Sequence, residues 1–410
     1  MPETPPPGAE PLDPVPAPRV LLAGGGTAGH VNPLLATAAA LRDPALGGRE
    51  GAGILVLGTA EGLEAGLVPE AGFDMAVVPR VPMPRRPTGD LFMLPRRLSR
   101  AVGAAGEAIE AVGAQVVVGF GGYVSTPAYL AARRAGVPVV IHEQNARPGL
   151  ANRLGASWAA AVALTFASTP LRSSKGRTEV TGLPLRPAIG ELVARLAEPD
   201  GAAAARRSGA AALGLDPRAP TVLITGGSLG AQRLNEVLAA ALPSLSPDLQ
   251  VLHLTGRDKD GPVRAAVEAA VAAGADPGLA ERYHVLDYLV AMEQAYACAD
   301  GVICRSGAGT VAELTALGLP ALYVPLPIGN GEQRLNAADV VAAGGGRLVA
   351  DARLTAADVV DFTALLTRPA ERGAMAAAAA STGVRDGARR LADLIRTVAR
   401  EGSPSPRRKA

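Results

Sequence analysis

The amino-acid sequence predicts an α/β protein made of two doubly wound parallel-sheet domains. Short apolar runs rich in β-forming residues alternate with helical stretches, a pattern typical of parallel sheets covered by helices on both faces. The alternation occurs twice, and 410 residues exceed the size that one hydrophobic core usually reaches. Because 48% of the residues are hydrophobic and 19% are charged, the chain has enough apolar material for two cores.

The first series of apolar runs defines a predicted domain from residue 19 to residue 183. Each run is brief and uninterrupted, as expected of strands buried on both faces. The predicted strands are Val20–Ala23, Gly53–Leu57, Asp74–Val78, Gln115–Gly119, Val137–His142 and Ala161–Leu164. Residues 1–18 are rich in proline and lack both a basic start and an apolar run, so we expect a disordered extension rather than a signal peptide.

The second predicted domain runs from residue 187 to residue 385. Between Thr181 and Pro187 one glycine and two prolines interrupt the alternation, which predicts the linker. An alanine-rich helical stretch follows to about Leu215. The predicted strands are Thr221–Thr225, Gln250–Thr255, Tyr283–Val285, Gly301–Cys304, Ala321–Val324 and Gly346–Val349. Helical sequence then continues to residue 402, and residues 403–410 are expected to be a solvated tail.

Charge and composition argue against several functional classes. A net charge of +2 gives no overall field that would favour nucleic acid. No run reaches the roughly 18 to 20 apolar residues that cross a bilayer, so any membrane contact is expected to be peripheral. Cys298 and Cys304 match neither a CxxC pair nor a disulfide framework, which favours a reducing cytoplasm.

A glycine-rich loop follows the first predicted strand and precedes a helix. Residues 24–30 read Gly-Gly-Gly-Thr-Ala-Gly-His. Unpaired N–H groups and the helix dipole make such a loop an anion site, although a tight turn is the structural alternative. An NAD site is disfavoured because the next strand ends in Gly58-Thr59 rather than in an acidic residue. His30 lies where a helix N-terminus disfavours the imidazolium, so it is either a neutral base or a capping residue.

Two further clusters follow strands of the same predicted sheet. Residues 119–125 read Gly-Phe-Gly-Gly-Tyr-Val-Ser and precede a helix. This loop and the first one are expected to converge at one edge of the sheet and form a mouth suited to a diphosphate, with close helix packing as the alternative. Glu143-Gln144-Asn145 ends the fifth strand, where ligands of open α/β sheets bind; a turn role is equally compatible with the spacing.

The second domain repeats the order of strand, glycine loop and helix. Residues 225–230 read Thr-Gly-Gly-Ser-Leu-Gly and predict a second anion site. Residues 305–313 lead to Glu313, which either accepts hydrogen bonds from ribose hydroxyls or closes a capping box with Thr310. Gln333 and Asn336 lie one helical turn apart, so their amides are expected to share a face that suits a sugar.

Two weaker signals remain. Asp258-Lys259-Asp260 has the form of the metal-binding pair of some nucleotide-sugar transferases, but a three-residue pattern arises easily by chance. Residues 80–100 contain six arginines, one acid and interleaved apolar residues. Such a segment suits an anionic membrane surface, at roughly 1 kcal/mol per basic residue near the lipid, or a partly buried helix with a solvated basic side.

Together these motifs resemble the MurG family of bacterial cell-wall glycosyltransferases. The resemblance covers about residues 19–400. It depends on six motifs in order, namely residues 24–30, 121–125 (Gly-Gly-Tyr-Val-Ser), 142–145 (His-Glu-Gln-Asn), 226–231 (Gly-Gly-Ser-Leu-Gly-Ala), 305–313 (Arg-Ser-Gly-Ala-Gly-Thr-Val-Ala-Glu) and the pair Gln333 and Asn336.

The resemblance implies a GT-B fold, in which two Rossmann-like domains face each other across a cleft. It implies UDP-N-acetylglucosamine (UDP-GlcNAc) as donor in the second domain, and the undecaprenyl-linked muramyl-pentapeptide, lipid I, as acceptor at the first. No metal and no cofactor are implied. The helix at 386–402 would return to the first domain. The family's role in peptidoglycan synthesis, cell shape and cell division implies a peripheral position on the cytoplasmic face of the membrane, with cell-wall synthesis proteins as partners.

Functional residues are carried over position by position. The implied catalytic residues are His30 and Glu313. The implied donor-binding residues are Thr27, Ala28, Gly29, Asn145, Arg186, Ser228, Leu289, Ala308, Gly309, Thr310, Val311, Ala312, Glu313, Gln333 and Asn336. The implied acceptor or diphosphate loops contain Gly25, Gly26, Gly121, Gly122 and Tyr123. Leu289 would act through its backbone at the uracil, and Glu313 at the ribose, which replaces the capping interpretation.

In this scheme His30 would take the proton from the muramyl 4-hydroxyl as it attacks the anomeric carbon opposite UDP, giving a β(1→4) linkage. The glycine loops would stabilise charge on the departing diphosphate. Three alternatives differ in what they predict. A related GT-B transferase would use another lipid or a natural-product acceptor, a UDP-GlcNAc epimerase would need no acceptor, and a sensor or membrane scaffold would bind the donor without turnover.

Overall fold

The computed structural model describes residues 17–81, 94–227 and 232–402, which form two parallel β-sheets with helices on both faces. Several predicted features lie outside these ranges. They are the proline-rich extension up to residue 16, residues 82–93 of the basic segment, Ser228 with the rest of residues 228–231, and the tail at 403–410.

The first sheet has seven strands in the order β3-β2-β1-β4-β5-β6-β7. Its strands are β1 (Arg19–Ala23), β2 (Gly53–Gly58), β3 (Asp74–Val77), β4 (Val116–Gly119), β5 (Val139–Glu143), β6 (Ala161–Leu164) and β7 (Arg177–Val180). Every neighbouring pair is parallel. The strand order reverses between β1 and β4, and a crevice for ligands forms at such a reversal, beyond the carboxyl ends of the strands.

The second sheet has six strands in the order β10-β9-β8-β11-β12-β13, and it is also parallel throughout. Its strands are β8 (Thr221–Thr225), β9 (Gln250–Leu254), β10 (Tyr283–Leu286), β11 (Gly301–Cys304), β12 (Ala321–Tyr323) and β13 (Gly346–Leu348). The reversal falls between β8 and β11. The glycine motifs at 225–230 and 305–313 therefore follow the two strands that flank it.

The helices connect successive strands across the two faces of each sheet. Those of the first half are α1 (Ala28–Arg42), α2 (Glu64–Glu70), α3 (Leu94–Val112), α4 (Ser125–Ala135) and α5 (Leu150–Gly155). Those after the linker are α6 (Pro187–Leu196), α7 (Gly201–Leu213), α8 (Gln232–Ala241), α9 (Asp260–Ala272), α10 (Leu279–Arg282), α11 (Met292–Cys298), α12 (Ala308–Leu317), α13 (Glu332–Asn336), α14 (Ala338–Ala342), α15 (Ala356–Leu366), α16 (Pro369–Ser381) and α17 (Gly387–Gly402).

The twelve strands predicted from the sequence are all present, with ends that differ by at most two residues. The alanine-rich stretch after the linker forms α6 and α7, as predicted. The prediction missed β7, whose sequence Arg-Thr-Glu-Val has no apolar run and is mostly exposed. An edge strand pairs on one side only, so it can be polar where a central strand cannot.

The core of the first sheet includes residues from the far end of the chain. Leu391, Ile395 and Val398 of α17 are buried with Val20 and Leu22 of β1 in one apolar cluster. These three residues recur at helical spacing, so a single stripe of α17 faces the sheet. Helix α17 therefore contributes to the first sheet's core although it follows the whole second half in sequence.

Within the described residues, no helix is both long and apolar enough to span a bilayer.

Candidate active site

The loop after β1 presents the start of α1 to solvent. Thr27 is the N-cap residue, with an extended backbone at φ −142°. Residues 26–29 are exposed, and the backbone N–H groups of His30 and Val31 donate to the carbonyl of Thr27. The first turn of a helix leaves N–H groups without intrahelical partners, so this end of α1 is suited to an anion.

His30 lies in the first turn of α1 with its ring oriented by the glycine loop. Its Nδ1 atom lies 3.1 Å from the carbonyl oxygen of Gly25 and 3.1 Å from Oγ1 of Thr27. A carbonyl oxygen only accepts hydrogen bonds, so Nδ1 carries the proton and Nε2 keeps its lone pair. Burial lowers the pKa of His30, and this outweighs the opposing effects of the Gly25 hydrogen bond and the charge of Glu64. The main cause is therefore burial, whereas the sequence suggested the helix N-terminus.

The second glycine loop, after β4, packs directly against the first. Gly121 has φ +92° and Gly122 has φ +81°, a region that favours glycine. A Cβ on Gly122 would lie 2.7 Å from the carbonyl oxygen of Gly25, and one on Gly121 would lie 3.1 Å from Nε2 of His30. The predicted convergence of the two glycine loops at one sheet edge is confirmed.

These loops border a cavity of about 400 Å³ at the reversal point of the first sheet. The Arg80 guanidinium lies over the Tyr123 ring, 5.3 Å from its centroid. The cavity thus combines exposed backbone N–H groups, a neutral imidazole and a cation stacked on an aromatic ring. Its lining residues are Gly25, Gly26, Thr27, His30, Thr59, Glu61, Gly62, Glu64, Arg80, Gly122, Tyr123 and Val124.

Glu64 is a residue of this cavity that was not predicted from the sequence. An acidic residue was expected only at the end of β2, where Gly58-Thr59 stands, but the carboxylate comes from the start of α2. Glu64 Oε1 accepts from the N–H and the hydroxyl of Thr59, at 3.0 and 2.8 Å, and Oε2 accepts from Gly26 N at 2.9 Å. Burial raises the pKa of Glu64, but these hydrogen bonds outweigh burial and lower it. A carboxylate six positions after a strand end was the available signal.

The polar cluster after β5 is largely occupied with its own loop. Glu143 is buried and accepts from Asn145 N at 3.0 Å, Gly149 N at 3.0 Å and Asn152 Nδ2 at 2.9 Å. Burial raises the pKa of Glu143 despite these bonds. Glu143 and Asn152 therefore determine the conformation of the loop that carries Asn145, which combines the predicted turn role with the predicted position at the strand end.

Asn336 joins the two halves of the molecule. Its side chain is 1% exposed. Its Oδ1 accepts from Ala146 N at 2.8 Å, and its Nδ2 donates to Asn145 Oδ1 and to Ser306 O, both at 3.3 Å. Gln333 has a different partner, because its Oε1 accepts from Leu326 N at 2.9 Å. The two amides are therefore anchored to protein groups, and the loops after β5 and β12 meet at this junction.

Helix α12 begins at Ala308 with Gly307 as its N-cap, so the alternative in which Thr310 and Glu313 form a capping box is wrong. Thr310 is already the third helical residue, because the glycine loop ends earlier than the capping pattern requires. Glu313 instead accepts from Arg186 Nε at 2.9 Å, Arg186 Nη2 at 3.3 Å and Tyr296 Oη at 3.0 Å. Burial alone would lower the pKa of Arg186, but the hydrogen bond to Glu313 outweighs burial and raises this pKa.

Residues 307–310, at the start of α12, are partly accessible to solvent. Beyond β10, Leu289 is half-buried and lies next to Tyr288, whose ring is 4.3 Å from the Arg257 guanidinium. The start of α12 and the Arg186–Glu313 pair thus provide helix N–H groups and a charge pair on the second sheet's side of the molecule.

Family comparisons agree with this architecture. The model of the glycosyltransferase family 28 N-terminal domain matches residues 20–164, and that of the family 28 C-terminal domain matches residues 221–391. The chain belongs to glycosyltransferase family 28. It is a hexosyltransferase of GT-B fold, with two Rossmann-like domains.

Relatives of this family 28 enzyme match this chain over most of their own length. A protein of Bifidobacterium longum (strain DJO10A) is 51% identical over 82% of this chain and 86% of its own length. A protein of Clavibacter michiganensis subsp. michiganensis is 50% identical over 95% of this chain and 99% of its own length. Both are named UDP-N-acetylglucosamine--N-acetylmuramyl-(pentapeptide) pyrophosphoryl-undecaprenol N-acetylglucosamine transferase.

Solved structures show the same fold. Acinetobacter baumannii MurG matches with a TM-score of 0.71 at 28% identity, over 93% of this chain and 99% of that one. The UDP-GlcNAc 2-epimerase of Neisseria meningitidis matches with a TM-score of 0.64 at 16% identity, over 93% of this chain and 99% of the epimerase. At that identity the second match establishes the fold alone.

Asp260 and the two cysteines have ordinary structural positions in this family 28 enzyme. Asp260 pairs with Arg264 on α9 at 2.9 Å, and Cys298 and Cys304 are buried free thiols. Among the residues that the structure describes, no group of three or more His, Cys, Asp or Glu side chains is arranged to hold a metal ion.

Proposed function

We propose that this chain transfers N-acetylglucosamine from UDP-GlcNAc to the 4-hydroxyl of the muramyl sugar in undecaprenyl-pyrophosphoryl-MurNAc-pentapeptide, with inversion to a β(1→4) linkage. The observation that carries the proposal is a neutral His30, with Nε2 available as a base, on a glycine-lined cavity of a family 28 enzyme. The names of relatives at about 50% identity indicate the donor and the acceptor.

The chemistry follows from this arrangement. Nε2 of His30 takes the proton of the muramyl 4-hydroxyl, whose oxygen forms a bond to the anomeric carbon of the donor sugar. The bond between that carbon and the diphosphate oxygen breaks, and UDP leaves with the electron pair. The N–H groups at the start of α12 and in the glycine loops are fixed donors for the negative charge that develops on the diphosphate.

We assign the donor chiefly to the second domain. Glu313 accepts three hydrogen bonds, two from Arg186 and one from Tyr296. A carboxylate can accept about four, so one acceptor position remains for a ribose hydroxyl. The accessible start of α12 (residues 308–310) suits the diphosphate, and the half-buried Leu289 suits the uracil. Thr27, Ala28, Gly29, Asn145, Ser228 and Gln333 complete the proposed donor site, and Asn336 supports that site from the junction between the domains.

We assign the acceptor to the first domain, which we take as residues 19–183 together with 386–402. The donor domain is then residues 187–385. The cavity beside His30 has Gly122, Tyr123 and the stacked cation Arg80 at its border, with Gly121 next to them in the same loop, and these groups suit a diphosphate-linked sugar. Arg96 and Arg100, exposed on the first turns of α3, suit an anionic bilayer at the cytoplasmic face. Association with other cell-wall synthesis proteins belongs to the same proposal.

The decisive experiment incubates the protein with labelled UDP-GlcNAc and the lipid-linked muramyl acceptor, with and without a chelator. We expect the β(1→4)-linked disaccharide lipid in both arms. Conversion of UDP-GlcNAc without acceptor would indicate an epimerase, donor binding without turnover a sensor, and transfer to a different acceptor a related transferase. Loss of product with the chelator would contradict the metal-free mechanism.

His30→Ala tests the base. General base catalysis contributes about 10²- to 10⁴-fold, so kcat should fall by that factor while UDP-GlcNAc affinity is retained. His284→Ala is the matched control, because His284 is half-buried in β10, away from the first-domain cavity. Unchanged turnover in His30→Ala would remove His30 from the mechanism.

A further inference from the structure

The position of Glu64 relative to His30 is unusual because one peptide group lies between them. Glu64 Oε2 accepts from the N–H of Gly26, and the carbonyl of Gly25 accepts from Nδ1 of His30. The Gly25 carbonyl and the Gly26 N–H belong to the same planar peptide group. In a trans peptide they point in opposite directions, so carboxylate, peptide and imidazole form one continuous line of hydrogen bonds.

The surrounding glycines show that this carboxylate has a built site. A Cβ on Gly25 would lie 2.3 Å from Glu64 Oε1, one on Gly62 would lie 2.2 Å from the carboxyl group, and one on Gly58 would lie 2.6 Å from Cγ. Glu64 is 0% exposed. The absence of side chains at three positions around one buried carboxylate allows it to reach the backbone of the loop.

We propose that Glu64 is a positioning residue for the transfer reaction: its buried carboxylate holds and polarises the Gly25–Gly26 peptide, which in turn fixes the ring and the tautomer of His30. This inference rests on the proposed role of His30 as the base. Hydrogen bonds in a chain strengthen one another, so a charged acceptor on the N–H makes the carbonyl a better acceptor for Nδ1–H. The logic is that of the aspartate–histidine pair of hydrolases, with one peptide interposed.

The same line of hydrogen bonds has an electrostatic consequence. The negative charge of Glu64 favours the imidazolium that forms when His30 takes the substrate proton, so it raises the pKa of His30 against the effect of burial. The other charged or titratable side chains on this cavity are Glu61, Arg80 and Tyr123. Removing the Glu64 charge alone should therefore lower the pKa of His30.

The first test uses the wild-type protein labelled with ¹⁵N-histidine, whose four histidines are assigned with single variants. The ring of His30 should be neutral at pH 7.5 with its proton on Nδ1. A proton on Nε2 would overturn the inference. This result does not depend on activity, so it is separate from any failure of the proposed function, which His30→Ala tests.

The second test is Glu64→Gln, which removes the charge and places an amide N–H₂ against backbone N–H donors. We expect kcat to fall by about 10- to 100-fold, by analogy with the loss of the hydrogen-bond partners that orient metal-bound histidines. KM for UDP-GlcNAc should be unchanged, and the acidic limb of kcat/KM should move to lower pH. A merely structural role would lower activity without moving that limb, and this outcome, like a wild-type kcat, would overturn the inference.

Two further variants complete the design. Glu64→Asp keeps the charge but shortens the side chain by one methylene, so kcat should fall while the acidic limb stays nearer to wild type. A wild-type kcat in Glu64→Asp would refute the inference even if Glu64→Gln did not fold. Glu70→Gln is the matched control, because Glu70 is an exposed glutamate at the other end of α2, and it should leave kcat and the pH profile unchanged.

Discussion

Replacing Asn336 by alanine tests whether this residue acts mainly as a junction between the two domains. The substitution removes three hydrogen bonds, to Ala146 N, Asn145 Oδ1 and Ser306 O, at a position that is 1% exposed. Each neutral hydrogen bond contributes about 1 kcal/mol net, and a buried N–H left unsatisfied costs about 1–3 kcal/mol. We therefore expect the free energy of unfolding to fall by about 2–4 kcal/mol.

Urea-induced unfolding, followed by far-ultraviolet circular dichroism, measures this loss, and steady-state kinetics with varied UDP-GlcNAc measures the effect on the donor. Arg334→Ala is the control, since Arg334 lies exposed on the same helix and its loss should cost less than about 0.5 kcal/mol. A stability of Asn336→Ala equal to wild type, together with a strongly raised donor KM, would refute the reasoning. It would mean that Asn336 binds the sugar rather than joining the domains.

Three other predictions follow from the site. Glu313→Gln loses a charge-assisted hydrogen bond to Arg186, which contributes about 1.5–3 kcal/mol. The donor KM should therefore rise by roughly 10- to 100-fold while the acceptor KM stays unchanged. A raised acceptor KM with an unchanged donor KM would contradict the donor assignment. Gly122→Ala introduces a Cβ 2.7 Å from the carbonyl oxygen of Gly25 at a residue with φ +81°, so kcat should fall by at least about 10-fold. Gly106→Ala is the control, because a Cβ at Gly106 on α3 meets no other atom, and kcat should not fall. Equal activities of the two variants would argue against the close approach of the two loops. Burial lowers the pKa of His30 from 6.5, and a general base acts in its neutral form. We therefore expect kcat/KM to fall as the pH drops, with the midpoint of this acidic limb below pH 6.5. A midpoint above pH 6.5 would show that His30 is not buried in the active form.

Short uninterrupted apolar runs were sufficient to predict the strands, because a strand that is buried on both faces must be apolar throughout. The twelve predicted strands were present for that reason, and β7 was missed because an edge strand escapes the requirement. The glycine loops were equally visible, since positive φ values and close backbone approaches restrict Gly121 and Gly122 to glycine. What the sequence showed was therefore local: the positions of elements and the places where the backbone needs freedom.

Hydrogen-bond partners were not local. The sequence left Glu313 either at ribose hydroxyls or in a capping box and gave no sign of its pairing with Arg186, 127 positions away. The sequence predicted that the Asn336 amide faces a sugar, yet its side chain bonds to a loop 190 positions earlier. Glu64 gave only a faint signal, and its link to His30 through the Gly25–Gly26 peptide exists only after α2 packs beside the first glycine loop.

Two parallel-sheet domains, the glycine loops at their strand ends and the resemblance to a family of transferases were predictable from the residues alone. Which polar side chains bond to one another, and which keep a free lone pair, depended on the folded arrangement. The physical reason is that a buried polar group must find a partner wherever the fold brings one within about 3 Å, and separation along the chain does not indicate which partner that will be.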